Sequence, residues 1–493
     1  MDEHVRLAWK WFLDKYGIVV DADIEVKGDM GSIKIRSGSN DFEISFPLLD
    51  HEGSVISIGG FNVHTWFMGK LLEDDINSNG VIFAHVNDKK IPCGFIKDRK
   101  LILAFDPFTF IYSVLSGGLE GRTYPVGVPF LDRLSEILFG AIKHLIVGNG
   151  GILIAKSFWP NDKMFAVCLT HDVDEIKKTY QYVTRSVRFL SRLNFNGLKN
   201  EILSIIYKLR GKEPYWTFEE VIRLEKELGV RSSFYFLKET GKVEIFSGRT
   251  WRYLGRRYDF KDVSEIIGYL HSNGWDVGLH GSFHSYMRYD LLKREKEELE
   301  YVLGDRVVGI RQHNLNLKIP ETWKIHESLG FEYDTTLGSN RYVGFRWGTC
   351  FPFYPIDYER NVRMKILEIP LIVEDIVLFR YSNPWNTLID VINKVENVSG
   401  VLTMLWHHTV FNNLEYPGWA NVYRRAIEYC KSRGAWVTSG REIAKWWKIR
   451  GASKVSYKIR NDKVEISSEI PVIVYSSAVR LIDGDNVRIC IER

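Results

Sequence analysis

A chain of 493 residues is too long for one ordinary core, so two or three domains are expected. Hydrophobic residues make up 45% of the chain and charged residues 26%, a composition typical of a soluble globular protein rather than a disordered or membrane-embedded one. The net charge of +4 is small for this length and gives no argument for a nucleic-acid partner.

The N-terminus and the cysteines predict a cytoplasmic protein. The first residues, Met1 to His4, lack the basic and apolar pattern of a signal peptide. No apolar run reaches the roughly 18 residues of a transmembrane helix. The five cysteines are scattered, odd in number and without a Cys-x-x-Cys pair, which favours reduced thiols.

Residues 1–155 mix short strands and helices. Leu7–Tyr16 has the apolar spacing of an amphipathic helix, and a second helix is predicted from Pro129 to Leu145. The segments 32–36 and 42–46 alternate as strands do. The pattern predicts a small α/β domain, and we find no catalytic constellation in it.

From Phe165 onward the pattern changes to repeated strands, loops and helices, which predicts parallel pairing of about seven strands over residues 156–450. The basic stretch Lys177–Lys212 is predicted to be a helical insertion whose charges form a solvated face. Thr217 is predicted to open a capping box for a helix that ends at Gly229. Residues 451–493 alternate again and predict a small antiparallel β appendage.

Two carboxylates follow the first apolar run of this region. Asp172 and Asp174 are two residues apart, so they share a face if the chain is extended. Two carboxylates at one strand end repel each other unless a cation or a proton lies between them. The sequence therefore predicts a cation or proton site here, with a solvated loop as the alternative.

Two histidines follow another apolar run. His280 and His284 come after Trp275–Leu279, and Gly281 permits a sharp turn between them. If that turn is helical, the two imidazoles face the same way and could bind one ion. Imidazole suits zinc and similar divalent metals, which need a third ligand, often a carboxylate, and an open position for water.

Other polar residues also lie at predicted strand ends: Arg311, Asp334 and His407. In a (β/α) barrel the carboxyl ends of the strands form the active-site face. Because all of these polar residues lie at the carboxyl ends of predicted strands, the sequence predicts a single hydrolytic metal site.

These motifs resemble those of the polysaccharide deacetylase (NodB-homology, carbohydrate esterase 4-like) family over roughly Phe165–Ile449. The segment 170–174 (Thr-His-Asp-Val-Asp) is similar to its first motif, and 280–284 to its His-x3-His metal motif. Arg311 to His313 occupies the place of its arginine motif, and Leu405 to His407 is similar to its final motif. The resemblance implies a distorted (β/α) barrel of the deacetylase type, with the N-terminal α/β domain and the C-terminal β appendage outside it.

Three departures from the family pattern affect the substrate more than the fold. Val173 separates the two aspartates, as in the branch that includes peptidoglycan deacetylase-like and cyclic-amide-hydrolysing members. His313 stands where the family has proline, and the final motif contains two histidines, His407 and His408.

The resemblance also implies roles for individual residues. Asp174, His280 and His284 would hold a divalent ion, zinc first, with cobalt, nickel or manganese as alternatives. Asp172 would act as general base under a bidentate hold by Arg311. His407 or His408 would protonate the leaving amine. Asp334 would either orient one of these groups or cap a loop, and His313 would lie behind the ligands or make a core hydrogen bond.

The resemblance implies a metal-dependent hydrolase that removes an N-acetyl or similar acyl group from a sugar or glycan precursor. Two alternatives stay open: a hydrolase of another linear or cyclic amide at the same site, and a catalytically silent carbohydrate-binding protein. An acetylated sugar or glycan is thus the expected partner, without nucleic acid and without a transmembrane segment.

Overall fold

The structure, a computed structural model, describes residues 2–37, 40–48, 57–58, 61–62, 81–86, 89–239, 258–460, 463–477, 481–483 and 487–491.

The N-terminal region packs three helices against a six-stranded sheet, so the α/β character predicted for it is confirmed. The sheet has the strand order β1-β2-β3-β8-β7-β6, and β4 and β5 form a separate pair. In the first helix Val5, Ala8 and Phe12 recur at helical spacing and are fully buried. The elements are α1 (Asp2–Tyr16), β1 (Asp21–Lys27), β2 (Met30–Ser37), β3 (Asn40–Pro47), β4 (Ser57–Ile58), β5 (Phe61–Asn62), β6 (Val81–Val86), β7 (Lys89–Lys97), β8 (Lys100–Leu103), α2 (Pro107–Leu115) and α3 (Phe130–Gly148).

The central region alternates strands and helices as predicted. Every residue of its first strand, Ala166–Val173, is buried, as expected for a parallel strand covered on both faces. The elements are β9 (Ile152–Lys156), β10 (Ala166–Val173), α4 (Gln181–Ser191), α5 (Phe195–Leu209), α6 (Phe218–Leu228), β11 (Ser233–Leu237), α7 (Ser264–Ser272), β12 (Asp276–Gly281), α8 (Tyr289–Leu303), β13 (Gly309–Gln312), α9 (Glu321–Ser328), β14 (Tyr333–Asp334), β15 (Ile356–Asp357), β16 (Val362–Arg363), β17 (Leu367–Glu368), β18 (Val373–Glu374), α10 (Asp375–Leu378), α11 (Pro384–Asn397), β19 (Val401–Leu405), α12 (Trp419–Ser432), β20 (Trp436–Thr438) and α13 (Gly440–Ala452).

Nine of these strands form one parallel sheet, which confirms the predicted distorted (β/α) barrel. Its order is β17-β14-β13-β12-β11-β10-β19-β18, and β20 branches from β10. Only residues 369–372 separate β17 from β18, the two ends of this path, so the sheet curls back towards itself. Nine strands replace the predicted seven because β14 and β18 have two residues each, too few to show a period.

The helix α6 ends at Gly229 as predicted, with the glycine in the left-handed conformation at φ +65°. The capping box predicted at Thr217 is wrong, because no side chain caps this helix. The Thr217 hydroxyl instead donates to the backbone carbonyl of His408, at 2.6 Å. Thr217 therefore connects the start of α6 to the loop that follows β19.

The C-terminal strands form two small sheets with mixed pairing rather than the predicted antiparallel appendage. One has the order β21-β22-β24 and the other β25-β23-β9. The pairs β22–β24 and β23–β25 are parallel. In each pair another strand lies between the two members in the sequence, which provides the crossover connection that a parallel pair needs. The strand β9, which precedes the barrel, pairs antiparallel with β23. The new elements are β21 (Val455–Arg460), β22 (Lys463–Ser468), β23 (Val472–Ser476), β24 (Leu481–Asp483) and β25 (Val487–Ile491).

The N-terminal helices and the barrel share one hydrophobic core, which runs from Val5 to Trp447. Arg450, fully buried at the end of α13, donates to the backbone carbonyls of Asp14, Lys15 and Ser157 at 2.6 to 2.9 Å. These hydrogen bonds join α1, the entry to the barrel and its last helix. Among the described residues, no helix has the length and apolarity to cross a membrane.

Candidate active site

Strand β10 carries Asp172 to the carboxyl edge of the sheet. Asp172 is buried, and the Arg311 guanidinium at the end of β13 donates from Nη1 to its Oδ1 at 2.9 Å. The same nitrogen donates to the Thr170 hydroxyl at 2.8 Å, and Nη2 has no hydrogen-bond partner among the described residues. Arg311 therefore holds Asp172 through one nitrogen, rather than through the predicted bidentate pair, and leaves its Oδ2 turned towards β12.

The carboxylates Asp172 and Asp174 face one imidazole. His280, buried at the end of β12, has its Nε2 3.3 Å from Asp174 Oδ1 and 3.5 Å from Asp172 Oδ2. Its Nδ1 lies 2.9 Å from the carbonyl oxygen of Arg311, which can only accept, so Nδ1 carries the proton. Burial lowers the pKa of His280, but the charges of Asp172 and Asp174 outweigh this and raise it.

A second imidazole, that of His313, joins this group. One donor atom from each of Asp174, His280 and His313 lies within 4.8 Å of the other two. His313 follows β13 and is buried, with its ring 5.3 Å from that of His280 and its Nδ1 3.6 Å from a Glu239 oxygen. Glu239 lies just beyond β11, so four neighbouring strands, β10 to β13, contribute to this cluster.

The structure does not bring His284 to the cluster. His280 lies in a strand and His284 lies in the turn before a short 3-10 segment, so the two histidines do not share a helix face. The backbone between them is fixed by Phe283, whose N–H donates to Glu239 and whose carbonyl accepts from Asn316, both at 2.9 Å. His284 is exposed beyond this anchor.

The opposite side of the site holds His407, which follows β19. Its Nδ1 and its backbone N–H contact the two oxygens of Asp375 at 2.8 and 2.7 Å. Its Nε2 lies 4.0 Å from Asp174 Oδ2. Burial lowers the pKa of His407, but Asp375, Asp174 and Asp172 outweigh burial and raise it to about 10. His407 is therefore a cation at neutral pH, with its Nε2 proton directed towards the site.

The neighbouring His408 is held in a different way. It is fully buried, its ring stacks on Phe218 at 4.8 Å, and its Nδ1 lies 3.2 Å from the backbone oxygen of Asp172. Burial lowers its pKa to about 4, so His408 is neutral at pH 7. His408 therefore contacts the end of β10 and does not face the space in front of Asp174.

Asp334 lies at the end of β14 but contacts none of the predicted site residues directly. It is fully buried and accepts from the backbone N–H and the hydroxyl of Thr336, and from His326 Nδ1 at 3.0 Å. The other nitrogen of His326 contacts Gln312 at 2.8 Å. Asp334 thus reaches Gln312, the residue after Arg311, through one side chain on each of two routes, His326 and Thr336.

Sequence reasoning missed Asp375 and Glu239. Glu239 lies two residues beyond β11, much as Asp174 lies just beyond β10, so the search of apolar strand ends that found Asp174 would also have found Glu239. Asp375 follows β18, which has two residues, one of them Glu374, and is too short to be recognised from the sequence. Glu374 lies beside Asp375, and burial raises its pKa to about 7.

The residues present fit a divalent cation. One carboxylate oxygen and two imidazole nitrogens form a donor set typical of zinc, and the 3.3 Å between Asp174 and His280 places two donors close enough to share one ion. A second group, Glu374, Asp375 and His407, also has its atoms within 4.8 Å. Asp375 there already holds both the ring and the backbone of His407, so the Asp174 group is the better cation site.

No protein-family model and no curated protein matches the chain. Solved structures are similar at low identity and low TM-scores. A Mycobacterium smegmatis protein assigned as a polysaccharide deacetylase is 18% identical over 59% of this chain and 93% of its own, with a TM-score of 0.39. The allantoinase PuuE is 14% identical over the same shares, with a TM-score of 0.40. A CE4 family pseudoenzyme from Bacillus anthracis is 13% identical over 58% of this chain and 66% of its own, with a TM-score of 0.29. Polysaccharide deacetylase and CE4, the names that two of these structures carry, are those of the family that the motifs resemble.

Proposed function

We propose that this chain is a metal-dependent amide hydrolase that removes an N-acetyl or similar acyl group from a sugar or glycan precursor. The observation that carries the proposal is the placement of a carboxylate–imidazole cluster between a held carboxylate, Asp172, and a charged imidazole, His407. All three lie at the carboxyl ends of parallel strands, the face that β/α barrels use for catalysis.

Asp174, His280 and His313 would hold the cation. Zinc bound to these residues would supply Lewis-acid polarisation of an amide carbonyl and a more acidic water molecule. The Nδ1 bond to Arg311 fixes the His280 ring with Nε2 towards the cluster, as the outer hydrogen bonds of metal-binding histidines do. His284, the third ligand implied by the resemblance, is the competing candidate for His313.

The chain's own acid and base complete the reaction. Asp172 Oδ2 accepts a proton from the attacking water while Arg311 holds Oδ1. The new C–O bond forms at the amide carbon, and the C–N bond breaks. His407 Nε2 gives its proton to the departing nitrogen, so the products are a carboxylic acid and an amine. His407 rather than His408 takes this role, because His408 is neutral and lies behind the strand end.

The first test is the metal content of the purified protein beside an Asp174→Ala, His280→Ala variant. We expect about one divalent ion per chain in the wild type and its loss in the variant. The matched control is Asp305→Ala, His271→Ala, which removes another Asp–His pair, 3.6 Å apart and exposed on the surface. Equal metal content in all three proteins would overturn the proposed site.

The second test is acetate release from oligomers of N-acetylglucosamine. Acetate release that requires the metal supports the proposed substrate class. Activity only on other linear or cyclic amides would support the proposed hydrolase activity but contradict the proposed substrate class. Tight glycan binding by a metal-loaded protein without any turnover would contradict the hydrolase itself.

A third test separates the two histidines. His407→Gln should lower kcat by about 10²- to 10⁴-fold on an amide with a poor leaving group. His408→Gln should change kcat much less and act mainly on stability, because its ring packs on Phe218. A larger loss of kcat in His408→Gln than in His407→Gln would assign the role of general acid to His408.

A further inference from the structure

The helices α4 and α5 form a hairpin, residues 181–209, that is inserted between Asp174 and α6. It lies beside the candidate active site. Lys178, at its base, is four residues after Asp174 and contacts Glu415, on the segment that follows His408. Arg185 in α4 donates to Glu201 in α5 at 2.8 Å and to the Tyr416 hydroxyl at 2.9 Å.

The inward face of this hairpin is polar. Lys178, Glu201, Ser204 and Glu415 are all buried, and Lys178 Nζ lies 2.6 Å from Glu201. Ordinary surface helices turn their apolar stripe to the core and their charges to water. The hairpin has the reverse arrangement, because its contacts with the barrel are ion pairs and hydrogen bonds.

The outward face is apolar. Val183, Val187 and Leu190 recur at helical spacing on α4, and all three are more than half exposed. On α5 the same spacing relates Ile202, Ile205 and Leu209, and Leu209 is 82% exposed. Eleven of the 25 exposed large hydrophobic side chains among the described residues lie between 183 and 209. An apolar surface this concentrated marks an interaction site.

The tip between the helices extends this surface. Leu193 and Phe195 flank the turn, with 76% and 72% of their surface exposed. The charge around the apolar face is strongly positive. Residues 181–212 contain seven lysines and arginines and one acid, and that acid, Glu201, is buried and paired. The exposed basic residues are Arg188, Arg192, Lys199, Lys208, Arg210 and Lys212.

We propose that the α4–α5 hairpin docks the protein on an anionic lipid bilayer. An apolar helix face bordered by basic residues is what an interfacial helix requires, because the apolar side chains enter the acyl boundary while lysines and arginines meet the phosphate groups. A second copy of the chain would meet the same net positive charge and would be repelled by it. The charge therefore selects lipid over self-association. This proposal does not depend on the hydrolytic reaction.

The test is co-sedimentation of the full chain with vesicles of phosphatidylcholine, with or without phosphatidylglycerol. We expect binding to the anionic vesicles that weakens at high salt. Val187→Ser, Leu190→Ser, Phe195→Ser should weaken partitioning by at least about tenfold, because these side chains no longer bury apolar surface. Arg188→Gln, Arg192→Gln, Lys199→Gln should abolish the preference for anionic vesicles.

The control variant is Tyr301→Ser, Ile489→Ser, which removes exposed hydrophobic side chains outside the hairpin and should bind as the wild type does. All variants should keep the circular dichroism spectrum and the metal content of the wild type. Failure of the wild type to bind anionic vesicles would overturn the proposal, as would equal binding to both vesicle types. A dimer in light scattering that only the apolar triple variant dissociates, without vesicle binding, would assign the face to a second copy instead.

Discussion

Two groups of buried charges lie within the same region of the barrel, one beneath the α4–α5 hairpin and one at the ends of β10, β12 and β13. Beneath the hairpin, Lys178 and Arg185 meet Glu201 and Glu415, so two cations face two carboxylates. At the strand ends, Arg311 meets Asp172, whereas Asp174 and Asp375 lie against the imidazoles of His280 and His407, so three carboxylates share the site with one guanidinium.

This difference separates a structural network from a candidate functional one. A balanced group of ion pairs satisfies itself, and removing one member leaves a buried charge uncompensated. A group with more carboxylates than permanent cations attracts a further positive charge. At the strand ends that charge is a proton on His280 or His407, whose pKa values are both raised, or a metal cation.

The largest effect is expected at the unbalanced group. Asp172→Asn removes the proposed base while keeping the shape that Arg311 contacts, so kcat should fall by about 10²- to 10⁴-fold with metal content unchanged. Asp334→Asn is the control, because Asp334 is equally buried but contacts none of the reacting groups. Comparable losses of kcat in two folded variants would show that the effect of Asp172 is not specific to the site.

A stability effect of similar size is expected at the balanced group. Lys178→Met leaves Glu201 and Glu415 with Arg185 alone, and the free energy of unfolding should fall by about 3–5 kcal/mol. Lys199→Met, an exposed change on the same hairpin, should stay within about 0.5 kcal/mol of the wild type. Urea unfolding measures both variants. A Lys178 variant as stable as the wild type would mean that this network contributes nothing net.

A smaller effect concerns Glu295, a buried acid that belongs to neither group and accepts from the Ser282 backbone N–H at 3.1 Å, just beyond β12. Burial raises its pKa from 4.5 to about 7. The folded protein therefore keeps a proton that the unfolded chain releases. This contribution to stability is complete below pH 4.5 and is lost as the pH rises through 7.

Between pH 5 and pH 8 the wild type should lose about 3 kcal/mol of unfolding free energy that Glu295→Gln does not lose. Urea midpoints of both proteins at the two pH values measure the difference. Glu297→Gln, on the exposed side of the same helix, should retain the wild-type pH dependence. Parallel pH dependence in the wild type and the Glu295 variant would rule out the raised pKa.

The smallest effect distinguishes the two candidates for the third metal ligand. His313→Ala should weaken metal binding by at least about 100-fold, and His284→Ala by less than about threefold, since only His313 lies with Asp174 and His280. Metal titration with a competing chelator measures both. The reverse order would restore the His-x3-His pair as the ligand set and require the segment from 281 to 284 to rearrange on binding.

The sequence was sufficient to predict the site residues at the strand ends, but not those in the loops that follow the strands. Asp172, Asp174, His280 and Arg311 were found because apolar runs precede them, and they lie in the last residues of a strand or just beyond it, where the strand fixes the direction of the side chain. The choice between His284 and His313 depends on how Glu239 and Asn316 anchor Phe283, through contacts that span 44 and 33 residues of the chain. No local pattern encodes such a contact.

The hairpin illustrates a different limit. Helical periodicity of residues 177–212 was visible, and the charges were expected to face water. Periodicity identifies the two faces of a helix, but it does not show which face packs against the rest of the protein. Lys178 and Arg185 turned inward because Glu415 and Tyr416, more than 200 residues away, supply partners for them.

The pairing of β9 with β23 has a consequence for how the chain is made. Residues 152–156 leave the ribosome about 320 residues before their partners at 472–476, so the barrel can be complete while β9 still exposes an unpaired edge. Open strand edges are sites of aggregation, and this one stays open for most of translation. An expression fragment that stops at residue 450 would keep that edge permanently open. Such a fragment should therefore be less soluble than one that extends past Ser476.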